Sequence, residues 1–147
     1  MVRQYYPDPI AQVMDNKSPE ESAAALQLVQ ELMLGINLVA SAEATAFARY
    51  LKVDMSQFYT LVSDAAGASM AFITHGREMI EGKIGPNAPA GLPTVDQAAQ
   101  TLEAVVQKAS DLKCPLHLGN AALSMLLLAK SGGFGQEGST SVIKVYN

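Results

Sequence analysis

The chain has 147 residues, enough for one domain or one domain with a small appendage. At that length about 68–70% of the unfolded surface can be buried, so no disulfide or metal staple is needed. It is 49% hydrophobic and 16% charged, against about 25% charged for an ordinary soluble domain. That balance excludes disorder and points to a large core with apolar surface left for a partner. Fourteen acidic against ten basic residues leave a net charge of −4, without the basic footprint that nucleic acid or an anionic membrane would require.

One cysteine, Cys114, excludes an internal disulfide and a four-thiolate zinc site, and favours a reducing, cytoplasmic setting. Met1 to Tyr6 is polar and aromatic, unlike a secretory signal. The longest apolar stretch, Ala121 to Ala129, is interrupted by Ser124 and is far shorter than the roughly 20 residues of a membrane span, so no membrane partner is expected.

Residues 1–17 contain Pro7-Asp8-Pro9, two Asp/Pro junctions, and little periodicity, which predicts an extended arm before a single all-α domain over 18–147. Ser18-Pro19-Glu20-Glu21 is a strong helix start, with a capping serine, a proline at the first helical position and a glutamate to close the box. Leu28, Leu32, Ile36 and Val39 recur at helical spacing, and no further proline intervenes before Leu51. A helix of about 33 residues would be about 50 Å long, threefold the average, and must run through a bundle or between subunits.

Asp54 with Gln57 starts the next helix, which ends near Asp64 at Ala65-Ala66-Gly67. Ser69 opens another that stops at Gly82, and Lys83 to Pro93 reads as a loop. Thr94 with Gln97 forms a third box-like start for a helix to Leu112. Cys114-Pro115 resets the chain, and a last long helix runs from Leu116 to Lys130 before Gly132-Gly133. Thr140 to Tyr146 is either a helical turn or an extended tail, with helix favoured because a serine precedes it. No alternating strand pattern longer than four residues occurs before Val142, so the fold class is all-α.

The chemistry is sparse. Gly132-Gly133-Phe134-Gly135 follows a helix and lacks the Lys-Ser/Thr of a phosphate loop, so it reads as a helix cap and turn. No dinucleotide fingerprint is present. His75 and Glu78, at i and i+3, can form half a metal site or an acid–base pair, although a histidine near a helix end is more often a surface or satisfied core residue. His117 invites the same bland reading, and Cys114 before a proline is usually a buried apolar filler.

Leu34-Gly35-Ile36-Asn37-Leu38-Val39-Ala40-Ser41-Ala42-Glu43-Ala44 resembles the helix that opens the C-terminal domain of the β-hydroxyacid dehydrogenases. These are the 3-hydroxyisobutyrate, tartronate semialdehyde and threonate dehydrogenases, relatives of 6-phosphogluconate dehydrogenase. The likeness continues through Ala48 to Asp54, where the family closes this helix with an aliphatic–glycine–aspartate step. Ser63 to Ser69 resembles its Gly-x-Ser turn beside the substrate, and Lys108 to Pro115 and Gly133 to Tyr146 match its last segments. The resemblance implies a helical bundle around one long helix, often dimeric, with the cofactor carried by a separate Rossmann domain that this stretch does not contain.

The resemblance also implies a changed site. The family's lysine acid/base falls on Gln27, which cannot exchange a proton at neutral pH. The substrate-orienting amides fall on Gln30 and Glu31, a second Lys–Asp pair falls on Ala98-Ala99, and a C-terminal aspartate falls on Gly138. Gly67 and Ser69 survive. The function expected first is a repurposed small-molecule pocket catalysing cofactor-free isomerisation, elimination or cyclisation. In it Glu31 and His75 are the catalytic candidates, and Gln27, Gln30, Gly67 and Ser69 bind an organic substrate. The alternatives are a non-catalytic dimerisation or ligand-binding domain, or the helical half of an oxidoreductase that uses NAD(P) only through a separate Rossmann partner. No resident cofactor or metal is expected. A homodimer is expected because Ala40, Ala42, Ala44, Ala46 and Ala48 suit close packing between subunits, unless that row packs within the chain.

Overall fold

The structure is a computed structural model that describes residues 17–85 and 91–146. The expected N-terminal arm and the middle of the loop before Pro93 lie outside those residues. The chain divides into two compact units, Met1–Gln30 and Glu31–Asn147. Helix α1, Pro19–Tyr50, starts in the first and continues into the second. In the first unit the capping box forms as its sequence dictates: the Ser18 amide donates to Glu21 Oε2 (2.8 Å) and the Glu21 amide to Ser18 Oγ (3.2 Å).

In the second unit four further helices follow: α2 (Met55–Ser63), α3 (Met70–Glu81), α4 (Val95–Asp111) and α5 (His117–Ala129). Each start but the last is built by a side-chain cap. Asp54 accepts from the Gln57 amide at 2.8 Å, Ser69 from the Phe72 amide at 3.1 Å, and Thr94 with Gln97 makes a reciprocal box. Gly82, at φ 71°, closes α3 in the left-handed conformation that glycine adopts without strain.

The chain end takes the helical alternative, in the tighter 3-10 form, over Ser139–Tyr146. It follows α5 through a π-helical turn, Lys130–Phe134, in which Gly133 has φ 92°. Ser139 lies inside this element rather than capping it, and Ser139, Thr140 and Ser141 are all buried with Val142 and Ile143. Among the described residues no strand forms, only an isolated bridge between Thr94 and Gly138. Backbone bonds from Val95 to Glu137, Asp96 to Gly135 and Ser139 to Pro93 tie the C-terminal segment to the start of α4.

The core of this unit brings together Met79 of α3, Val95 and Leu102 of α4, Leu126 of α5, and Val142 and Ile143, all fully enclosed. Part of α1 lines it: Gly35 faces Leu102, Leu32 faces Gly119, and Leu38, Ala42, Thr45 and Ala46 are buried. The alanine row therefore splits. Ala42, Ala46 and Ala48 pack within the chain, whereas Ala40 and Ala44 are exposed. By length and composition alone α1 is apolar enough to cross a membrane, which the uninterrupted-run criterion did not register. The burial of Leu38, Val39, Ala42, Ala46 and Ala48 gives part of that apolarity a bundle role. Cys114 is exposed, contrary to the buried filler expected, because it sits in the tight turn between α4 and α5 rather than inside a helix.

Candidate functional site

The six candidate residues occupy two helices and one turn. In the first unit, Gln27 and Gln30 are exposed positions of α1. In the second, Glu31 is half-buried on the next turn of the same helix. The α2–α3 turn carries Gly67, exposed and with nothing within 4 Å of where a side chain would begin. Its φ is not in the left-handed region, so the turn does not need glycine for its own geometry. What glycine provides there is open access to the backbone. Ser69 is half-buried, and its Oγ is engaged as the acceptor that caps α3, leaving its hydroxyl proton free to be donated.

His75 and Glu78 meet on α3 as their spacing predicts, with Nδ1 to Oε1 at 3.5 Å and side chains only 19% and 15% exposed. That separation is long for a charge-assisted hydrogen bond, which is about 2.7–2.9 Å. Glu78 Oε2 is buried without a hydrogen-bond partner. The pair is not drawn tight. Among the described residues no group of three or more metal-ligating side chains forms. His117, at the exposed start of α5, belongs to no such group. Ala99, where the resemblance sets the second member of a Lys–Asp pair, is 2% exposed in the core, so it is a packing position.

Two polar clusters were not foreseen. Tyr146 donates its hydroxyl to Glu43 (3.0 Å), and Tyr50 donates to the Tyr146 carbonyl (3.3 Å). Burial, with the Glu43 carboxylate beside it, pushes the Tyr146 phenol well above its ordinary value. In the second cluster Lys144 reaches Glu137 at 2.6 Å and lies 4.6 Å over the Phe134 ring. Burial works to raise the Glu137 carboxyl, but bonds from Lys144 and Ser141 overcome it and hold the group below its ordinary value. The first joins residues about a hundred positions apart, and the second forms across the turn between α5 and the 3-10 segment, so neither lies within one helix whose periodicity could reveal it.

Open clefts mark the surface formed by the described residues, three of them well defined. One of about 460 Å³ is lined by Val106, Ser110, Lys113, Cys114, Pro115, Leu116 and Asn120. Two of about 180 Å³ lie at Ala46, Arg49, Tyr50 and Tyr146, and between α2 and α3 around Tyr59 and Arg77. None of the three is lined by any of the six candidates.

An all-α bundle with one long helix, a Gly-x-Ser turn opening α3 and a buried C-terminal 3-10 segment defines the helical-domain class of the hydroxyacid dehydrogenases. Residues 22–146 match the family described as NAD-binding of NADP-dependent 3-hydroxyisobutyrate dehydrogenase, and the chain belongs to that family. It is 33% identical over 124 residues to an L-threonate dehydrogenase of Haemophilus influenzae, covering 84% of this chain and 40% of that protein. An L-threonate dehydrogenase of Escherichia coli K12 is 30% identical over 124 residues, covering 84% and 39% respectively. A crystal structure of 3-hydroxyisobutyrate dehydrogenase from Salmonella typhimurium superposes with a TM-score of 0.78 at 29% identity, over 85% of this chain and 42% of that one. The chain thus spans about 40% of the length of the curated relatives it matches.

Proposed function

We propose that this chain supplies the substrate-facing helical half of a β-hydroxyacid-binding fold and works against a dinucleotide-binding domain that lies outside these 147 residues. The observation that carries this is the openness of the candidate residues of the second unit: Gly67 is exposed, Glu31 and Ser69 are half-buried, and none of them lines the three clefts described above. Small-molecule sites bury most of the ligand and exclude water, so such a surface needs a second body to close it. The described residues contain no βαβ unit to hold a dinucleotide, and NAD(P) would come with that second body. The relatives named for L-threonate suggest a small polyhydroxylated acid. Glu31 can accept from its hydroxyls but disfavours a carboxylate alongside, so the acid group is expected nearer Ser69 and the open backbone at Gly67.

The test is a fusion. The dinucleotide-binding domain of the Haemophilus influenzae L-threonate dehydrogenase is joined ahead of residue 17, and binding of NAD, NADP and L-threonate is followed by calorimetry. Binding of cofactor and acid by the fusion, and of neither by the chain alone, is the expected outcome. A fusion that is folded by circular dichroism yet binds no hydroxyacid overturns the proposal. Because Gln27 cannot carry a proton, the fusion is expected to bind without turnover, and Gln27→Lys to restore NAD-linked oxidation.

A second reading rests on Glu31 itself, a half-buried carboxylate at a position where the resemblance sets a neutral amide. Such a group can act as general base, with His75 as its acid–base counterpart, in cofactor-free isomerisation, elimination or cyclisation. Turnover without nucleotide that disappears in a folded Glu31→Gln variant supports it, and turnover unchanged by that substitution removes it.

A further inference from the structure

The cleft of about 460 Å³ at the α4–α5 corner lies outside the candidate site. Val106, Pro115 and Leu116 give it an apolar lining, and Ser110, Lys113 and Asn120 bring a hydroxyl, an ammonium and an amide to it. The turn that forms it is fixed. The Lys113 amide donates to the Ser110 carbonyl and the Cys114 amide to the Ala109 carbonyl, both at 2.9 Å, which is the Schellman closure of α4. Lys113 occupies the left-handed position of that motif, at φ 57°, where glycine would be free of strain. Lys52 closes α1 in the same conformation, at φ 56°, so strain alone does not mark a site.

What sets Lys113 apart is the cleft beside it and its charge balance. No ion pair to Lys113 occurs among the described residues, and the adjacent Asp111 is held by Gln107 at 2.9 Å. The Asn120 side-chain amide donates to the Leu116 carbonyl at 2.7 Å, whereas Ser110 has a hydroxyl to give. A cation without a carboxylate, next to an apolar floor and a hydroxyl donor, is matched by an anion carrying a short apolar chain.

We propose that this corner is a binding site for small aliphatic monocarboxylates. The carboxylate pairs with Lys113 and accepts from Ser110, and the chain lies on Val106, Pro115 and Leu116. The proposal does not rest on the function proposed above. Cys114 is the chain's one cysteine, lines the cleft and is exposed, so its alkylation by iodoacetamide reports on this site alone.

Hexanoate is the probe, with hexanamide as the uncharged control. At twice its Kd hexanoate fills two thirds of the sites, so alkylation is expected to slow about threefold and saturably. Hexanamide is expected to leave the rate unchanged. Each variant's rate is expressed relative to its own rate without ligand. Lys113→Gln is expected to lose protection and Lys113→Arg to keep it. No saturable protection by hexanoate, equal protection by hexanamide, or full protection in Lys113→Gln would each overturn the proposal.

Discussion

Gly135 has no room for a methyl group. A Cβ there would lie 2.6 Å from Asp96 Oδ1 and 2.9 Å from the carboxyl carbon. The carboxylate cannot swing away freely, since Gln136 donates to Oδ2 at 2.8 Å and Lys130 stands 3.4 Å from Oδ1. The Asp96 amide also donates to the Gly135 carbonyl, so the two backbones are locked at this distance. Gly135 has φ −54°, which alanine adopts without strain, so the clash is the whole effect. Gly135→Ala is expected to cost about 1–3 kcal/mol, the usual penalty of forcing atoms into a packed site. Urea unfolding measures this, and Gly67→Ala, in open space, serves as the comparison, expected to be neutral or slightly stabilising. At this scale the sequence was least informative. Nothing local distinguishes Ser139, Thr140 and Ser141, which are buried, from ordinary loop residues, because their burial depends on where α4 begins forty positions earlier. Ser69 shows the opposite case: its cap was legible because the partner amide is three residues away.

Helix starts follow the same logic. Ser18, Asp54, Ser69 and Thr94 each precede their helix and bond within three residues, so the boundaries of α1 to α4 were readable from local chemistry. α5 has no side-chain cap, and its continuation into a π-helical turn is set by tertiary contacts. The close of α1 makes a prediction of its own. Lys52 stands at φ 56° in a Schellman closure, with its amide on the Arg49 carbonyl and the Val53 amide on the Ala48 carbonyl. A side chain in that conformation costs about 1–2 kcal/mol. Glycine removes this strain but adds about 0.4–1 kcal/mol of unfolded-state entropy. Lys52→Gly is therefore expected to stabilise the fold by about 0.5–1 kcal/mol, read as a higher urea midpoint at unchanged slope. A lower midpoint would mean that the Lys52 side chain makes a compensating contact.

On the scale of the whole molecule, α1 leaves one apolar face exposed in the second unit. Within the second unit, Met33, Ala40, Ala44, Phe47 and Leu51 follow one another at spacings of seven, four, three and four, which puts them on one face of the helix. All are exposed, Met33 by 53%, Phe47 by 64% and Leu51 by 58%. The opposite face carries Leu38, Ala42, Thr45 and Ala46 into the core. A stripe of about 27 Å, from eighteen rises of 1.5 Å, with two alanines at its centre, lets a second helix approach closely. We propose that a second copy of the chain lies there, pairing the stripe with itself about a two-fold axis. The sequence held this signal in the low charge and the alanine row, but it could not divide that row. The structure places Ala42, Ala46 and Ala48 inside and leaves Ala40 and Ala44 exposed. Light scattering on the eluting protein is expected to give twice the chain mass at micromolar concentration. Phe47→Glu buries two charges near the axis of such a pair and is expected to give a monomer with unchanged helical content. A parent chain that elutes as a monomer overturns the pairing. A Phe47→Glu variant that remains dimeric moves the interface to another face.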